Sequence, residues 1–425
     1  MWTNARRLAA VIAILIGQTV AVAWRLALAA LRGRGRDRPA MESLLAAAAT
    51  RTVERLGPTY VKLGQLLATR TDLVPPAATR VLRRLFDGVR PPASGGAVPV
   101  ALRAALDGDL RLVAAGSVAC VYRGRLATGE QVAVKVRRPG IARTVEADLA
   151  ILSGLARAGA RLPAFRGAPI REITDQLGAA VRQQLDLGRE ATATRRLRAS
   201  LAGIPGVRVP RVFDEWSGDD VLVLEFVPGL PRWHRTGGPA PATDRSRAAA
   251  VSALRAVFHM IFVDGFVHCD LHPGNLHLLD TGVVIVDAGF AHQLTPEARR
   301  AFAAFFHGMA GGDGPRCADI LLGTAVRADP AADHSAFRAE IAALVARATR
   351  RRAADFDLVD FAYRLFAAQR AHGFYADAQF VFPILALIVM EGTIRTWAPD
   401  VDFQAEALPY VLRALADTAH LSARY

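Results

Sequence analysis

Lysine is almost missing. Of the 53 basic residues only two, Lys62 and Lys135, are lysine, and the other 51 are arginine. Wherever a generic positive charge is enough, the chain uses a guanidinium. A site that keeps the compact ammonium is therefore a candidate for chemistry that needs it. Cysteine is also sparse. Cys120, Cys269 and Cys317 are too few and too scattered for a disulfide framework, and their spacing excludes a zinc motif. A reducing, cytosolic setting follows. No internal repeat is present, which excludes a repeat architecture. No basic stretch is interleaved with aromatics and no nucleic-acid motif occurs, so nucleic acid is not an expected partner despite a net charge of +14. That charge suits anionic lipid or a phosphate-rich ligand.

What the chain has in plenty is apolar surface. Hydrophobic residues make up 52% of it, high for a soluble protein, and point to Ala-rich helices, membrane contact or both. Arg6 and Arg7 precede an apolar run from Leu8 to Trp24, followed by Arg25, Leu26 to Leu31, and Arg32, Arg34, Arg36 and Arg38 around Gly33 and Gly35. Three readings stand open: a membrane-embedded or interfacial anchor, a secretory signal, and a soluble helix docked on the fold. If the helix spans, the heavier arginine load after it places the rest in the cytoplasm. A second apolar run, Phe380 to Met390, is short for a span and reads as a buried core helix.

The densest chemistry lies in His268-Cys269-Asp270-Leu271-His272-Pro273-Gly274-Asn275, followed by the apolar run Val283 to Val286 and then Asp287-Ala288-Gly289. One carboxylate, Asp270, can orient or deprotonate a hydroxyl or water. An amide five residues on and a second carboxylate after a strand supply oxygen ligands of the kind Mg²⁺ prefers. Upstream, Leu112-Val113 reads as a strand, Ala114-Ala115-Gly116-Ser117 as a turn, Val118 to Arg125 as a second strand and Gln131 to Val136 as a third. Small residues between two strands let backbone N–H groups approach a phosphate. Lys135 at the end of the third strand takes the place of the lysine that pairs with ATP phosphates in kinase-like lobes.

Flanking segments complete the pattern. Thr59 to Arg70 is helical and places Lys62 and Gln65 on one face. A further helix covers 77–86, and a Pro/Gly/Ser linker covers 90–99. Ile170 to Leu201 reads as one long helix carrying Asp186 and Glu190, with Glu190 the expected partner of Lys135. Val207 to Phe213 and Asp220 to Phe226 read as strands. The second ends at Val227-Pro228-Gly229, where a hinge backbone near Glu225 and Phe226 can bond an adenine. Leu230 to Thr243 reads as a loop, Asp244 to Asp264 as one helix, and Cys317 to Arg327 as another.

Together these motifs resemble the ABC1/AarF/UbiB family of atypical protein-kinase-like proteins, from about Met41 to Phe403. The most specific mark is Lys62-Leu63-Gly64-Gln65 with the following Thr-Arg-x-Asp-x-x-Pro. The Ala-rich turn, Leu185 to Ala191, Leu224 to Gly229, and Glu391-Gly392 with Pro399-Asp400 agree. The resemblance implies an α+β, two-lobed protein-kinase-like fold with an N-terminal helical extension packed over the active site. The implied parts are an apolar helix and basic linker (1–38), a helical extension (39–108), an N-lobe (109–227) and a helical C-lobe (228–425).

By the same resemblance Asp270 is the catalytic-loop acid, Asn275 and Asp287 the Mg²⁺ ligands, Lys135 the phosphate-binding lysine and Glu190 its partner. Ala114, Ala115, Gly116, Ser117, Val118, Glu225 and Phe226 would border the nucleotide, and Lys62, Gln65 and Asp186 would lie over it. ATP and Mg²⁺ are the expected cofactors. A membrane or prenyl lipid, and proteins of lipid biosynthesis, are the expected partners, at the cytoplasmic face of a membrane. The chain departs from the usual pattern at three places. Gly116 and Ala119 exchange the small residues of the loop, Gln184 replaces the first acid of a Glu-x-Asp pair, and Ala288 replaces the phenylalanine of the metal turn, which predicts a looser turn. A small-molecule phosphotransferase of the aminoglycoside or choline kinase kind shares the catalytic loop but lacks the Lys62–Gln65 helix. A nucleotide-binding pseudokinase would keep every one of these residues.

Overall fold

The computed structural model describes residues 2–31, 38–69, 81–82, 98–162, 170–230, 243–272, 274–349 and 357–416. The glycines expected to form a linker at 33 and 35, the segment 70–75, all of the helix expected over 77–86 except residues 81 and 82, which are helical, most of the 90–99 linker, most of the 230–243 loop and Pro273 lie outside the described residues. The chain divides into two compact units, Met1–Gly188 with Glu215–Val223, and Arg189–Asp214 with Leu224–Tyr425.

The first unit begins with α1 (Trp2–Leu31), α2 (Arg38–Leu56) and α3 (Pro58–Thr69). Gly57, at φ +106°, turns the chain between α2 and α3, and Pro58 opens α3 where a missing N–H costs nothing. After α4 (Val100–Ala105) come β1 (Arg111–Ala115), β2 (Ala119–Arg125) and β3 (Gln131–Arg137), an antiparallel meander. Alternation is clean on β3. Val132, Val134 and Val136 are at most 1% exposed, while Lys135 points to the other face. β1 takes in Ala114 and Ala115, so the expected turn shrinks to Gly116–Val118. α5 (Ile141–Gly159) and α6 (Ile170–Gln183) follow.

The long helix expected over 170–201 is two helices. After α6 the chain makes a tight turn, and the Leu187 N–H donates to the Asp219 carbonyl instead of a helical acceptor. α7 (Leu187–Leu201) then restarts. A long-range hydrogen bond outweighs a helical pattern that runs unbroken through the sequence.

In the second unit the strand expected over 207–213 shrinks to β4 (Val207–Arg208), because Pro210 has no N–H to give a ladder. Val212 keeps one isolated bridge to Leu224, in the strand β5 (Val221–Glu225), whose first three residues lie in the first unit and close its sheet in the order β1-β2-β3-β5. α8 (Asp244–Phe258) is capped by a Thr243/Ser246 box. A π-helical turn, His259–Asp264, continues it, where a single helix was expected. Arg299 donates to the Phe262 and Val263 carbonyls that this turn leaves over. β6 (Phe266–His268) leads into the catalytic loop. β7 (Leu276–Leu279) and β8 (Gly282–Ile285) form a hairpin, with β4 parallel to β8. β9 (Ala291–Gln293) pairs with β6.

The remainder is helical: α9 (Pro296–Gly311), α10 (Gly314–Gly323), α11 (His334–Thr349), α12 (Leu358–Ala371), α13 (Ala378–Trp397) and α14 (Phe403–Ala416). Residues 325–328, expected at the end of a helix, form β10 (Ala325–Ala328), antiparallel to β11 (Phe374–Ala376). Phe380, Val381, Ile384, Leu387 and Met390 of α13 are all below 5% exposed, so this helix is core. Its Phe380 ring meets Phe302 edge-on at 5.1 Å.

Candidate active site

In the second unit the catalytic loop hangs from β6 and closes on β8. His268 is fully buried. Its Nδ1 accepts the Asp270 N–H at 3.2 Å, so the proton sits on Nε2, which donates to the Val286 carbonyl at 3.2 Å. One imidazole thus ties the start of the loop to the residue before Asp287. Asn275 makes a second tie. Its Nδ2 donates to the Asp270 carbonyl at 2.8 Å, and its own carbonyl accepts the Val286 N–H at 2.9 Å. Asp270, Asn275 and Asp287 are therefore linked through one hydrogen-bonded frame. No spacing rule marks His268 as part of it, since the partner is a backbone carbonyl 18 residues on.

Asp287 has φ +56° and is, among the described residues, the one non-glycine with positive φ. A non-glycine held in this conformation is strained, which makes Asp287 a candidate functional position. Two residues on, a Cβ at Gly289 would lie 3.2 Å from both Asp287 Oδ1 and Glu190 Oε2. Glu190, 2% exposed in the first turn of α7, thus shares this corner with Asp287, and the missing side chain makes room for both carboxylates. If this corner holds Mg-ATP, Gly289→Ala is expected to keep the fold and weaken Mg-ATP-dependent thermal stabilisation at least about tenfold in apparent affinity, since a shift of a few tenths of an ångström falls on the Asp287 carboxylate. A titration of melting temperature against Mg-ATP checks this.

Among the described residues no cluster of three or more His, Cys, Asp or Glu could hold a metal unaided. Mg²⁺ does not need one, because it takes one or two carboxylates, keeps waters and uses phosphate oxygens. The amide of Asn275 and the carboxylate of Asp287 fit that donor set.

In the first unit Lys135 pairs with Val121, and Val121 with Ala114. The three lie in a row on one face of the sheet, with Ala133 next along β3 on that face. The row has an ammonium and a small-residue floor. Gly116 N–H donates to the Ala119 carbonyl at 2.8 Å, which closes the turn, and Ser117 is buried within it. α3 packs on α5 and α6 and half-buries Lys62 and Gln65. Asp186 sits in the break before α7, where its Oδ1 and that of Asp219 flank Gly188. At the expected hinge, burial pushes the Glu225 carboxyl up. Hydrogen bonds from Arg208 at 2.6 Å and the Arg211 N–H override this and leave it below the usual range. The Glu225 N–H is committed to the Arg211 carbonyl, and Phe226 follows directly.

A family model described as the ABC1 atypical kinase-like domain matches residues 109–321. A probable protein kinase UbiB of Aeromonas hydrophila is 30% identical over 376 residues, 84% of this chain and 68% of its own length. The chain belongs to the ABC1 atypical kinase-like family. An uncharacterized protein of Synechocystis is 31% identical over 292 residues, 64% of this chain and 71% of that one. A Mycobacterium tuberculosis protein, solved in complex with erythromycin, aligns with a TM-score of 0.52 over 71% of this chain and 76% of that one, at 19% identity. That likeness speaks for the fold, which is the α+β, two-lobed, protein-kinase-like one.

Within this ABC1 chain, Ala288 of the Asp287–Gly289 turn is 3% exposed, and the aromatic anchor lies two residues later. Phe290 packs edge-on against Phe382 of α13 at 5.2 Å. His292, on β9, is tilted against the same ring, and its Nε2 is buried without a hydrogen-bond partner among the described residues. Burial lowers the pKa of both His268 and His292. Each takes up a proton more readily when unfolded, so stability is fully present above roughly pH 6.5 and is lost as pH falls below it. The expected slope is at most about 1.4 kcal/mol per pH unit for each group. Melting temperatures from pH 8 to 5 should show the loss, and His292→Leu should flatten it.

Proposed function

We propose that this chain is an atypical kinase or ATPase that binds Mg-ATP at the cytoplasmic face of a membrane and serves isoprenoid-quinone or other membrane-lipid metabolism. The observation that carries the reading is the frame that locks Asp270, Asn275 and Asp287 together. Asp270 orients the acceptor hydroxyl or water and takes its proton. Asn275 and Asp287 hold the metal, and Glu190 holds the ammonium of Lys135 on the phosphates. When bound, Mg²⁺ neutralises charge on the phosphate oxygens. The turn 116–118, with the Gly116 N–H spent on the Ala119 carbonyl, offers the Ser117 and Val118 N–H groups to the phosphates, and Ala114 and Ala115 border them from β1. With the Glu225 N–H spent, adenine recognition falls to the Glu225 carbonyl and the Phe226 backbone. Lys62, Gln65 and Asp186 restrict the acceptor. Prenyl lipids and lipid-biosynthetic proteins are the partners this reading calls for, and family membership supports it.

The test is ATP hydrolysis by the full chain with and without anionic vesicles. Turnover that rises with vesicles supports the proposal. Rapid phosphorylation of a soluble amino alcohol would move the assignment to a small-molecule phosphotransferase. Nucleotide binding with no turnover under any condition would make the chain a scaffold.

A further inference from the structure

α1 is apolar on all sides, yet only a narrow seam of it is covered. Arg7, Val11, Ile14, Gln18 and Ala21 recur every three or four residues and are buried or half-buried, packed toward α2 and α5. The opposite side carries Leu8, Ile12, Leu15, Ile16, Val20 and Trp24, each between 42% and 67% exposed. A helix that is hydrophobic all round and bare on one side belongs against lipid or another apolar surface. Its charge selects lipid. Trp2–Leu31 contains no acidic residue, exposed Arg6 and Arg25 flank the bare Leu8–Trp24 face, and four more arginines against one acid, Asp37, follow within the seven positions after Leu31.

The stretch Ala5–Ala27 is long enough to cross a membrane, so length does not decide the geometry. The seam decides it. Arg7 Nε and Nη2 donate to the two carboxylate oxygens of Asp148 at 2.6 and 2.9 Å, and Nη2 also donates to the Leu56 carbonyl. Asp148 is completely buried. A helix pulled away to span would strand that carboxylate. A helix that spanned while docked would drag α5 into hydrocarbon, with Arg143 and Glu146 exposed on it, and α2, which carries Arg51, Glu54 and Arg55. Charged faces of that kind do not enter a bilayer core.

We infer that α1 lies in the plane of an anionic bilayer, its Leu8–Trp24 face in the acyl–headgroup boundary, and is held to the protein by the Arg7–Asp148 pair instead of crossing the membrane. This deepens the membrane-surface reading above and rests on it. The same guanidinium fixes the end of α2, one residue before the Gly57 elbow that launches the Lys62–Gln65 helix.

The experiment places an environment-sensitive fluorophore on the full chain at Leu8→Cys, Ile16→Cys or Trp24→Cys, one at a time. The native cysteines are buried, and the unsubstituted chain serves as the labelling control. Vesicles of neutral or partly anionic lipid carry quenchers at known depths. In-plane binding gives one shallow depth at all three positions and requires anionic lipid. A deep probe at position 16 with shallow probes at 8 and 24 means a span and overturns the inference. A probe shielded without lipid, in a concentration-dependent way, means a second copy covers the face and also overturns it. So does binding to neutral and anionic vesicles alike. Arg6→Ser with Arg25→Ser should weaken vesicle binding roughly fivefold per arginine, about thirtyfold together. Mg-ATP stabilisation measured on the same samples without vesicles reports the nucleotide site separately. A wrong depth with intact nucleotide binding sinks this inference alone, and the reverse pattern sinks the site assignment alone.

Discussion

Asp287→Asn keeps the fold and abolishes the response to Mg-ATP. The wild-type chain at a hundredfold excess over Kd should gain about 2.7 kcal/mol, a rise of roughly 5–10 °C in the melting temperature of a unit this large. The variant should gain almost nothing, and any ATP turnover should fall by at least about 10²-fold. Asparagine is the informative replacement because of the backbone. Asp287 sits at φ +56°, and asparagine adopts the left-handed region at least as readily as aspartate. No strain is added, the side chain keeps its size, and only the charge is removed. An unchanged Mg-ATP shift in this variant would take Asp287 out of the site. A lowered melting temperature without nucleotide would mean that the carboxylate also supports the turn, and the loss should then be compared with Gly289→Ala, which leaves the charge in place.

The contrast between what could be read from the chain and what could not has a physical pattern. That Asp270, Asn275 and Asp287 come together in one frame was legible because they sit at fixed spacing in one contiguous segment. The face that Lys135 takes was legible because alternation on β3 sets it. What escaped were features whose cause lies elsewhere in the chain. The break between α6 and α7 has no glycine or proline at 184–186 to announce it. It follows from a bond between Leu187 and Asp219. β10 reads as the tail of a helix until residues 374–376 arrive to pair with it. The apolar residues of 207–213 suggest a longer strand than the two residues that Pro210 leaves it. In the sequence His268 is one letter of a motif, yet it is the clamp that ties the Asp270 loop to the residue before Asp287.

Arg7 is the extreme case, since in the sequence it only marks the start of an apolar run and its partner is 141 residues away. Arg7→Ala should therefore be among the most destabilising changes in the first unit. It leaves the Asp148 carboxylate, 0% exposed, without its counter-ion, a situation that costs about 3–5 kcal/mol, or roughly 10 °C in melting temperature. The pair is asymmetric, and the asymmetry is the test. The Arg7 side chain is 21% exposed and can swing toward solvent when its partner is removed. Asp148→Ala should then cost clearly less than Arg7→Ala. Replacing both with leucine should recover much of the loss, because a buried pair is offset largely by its own desolvation, and a well-packed apolar pair is spared that penalty. A double-mutant cycle read by thermal unfolding separates these terms. Equal losses from the two single changes, or none from either, would mean that water reaches Asp148 in solution and that α1 is not seated by this contact.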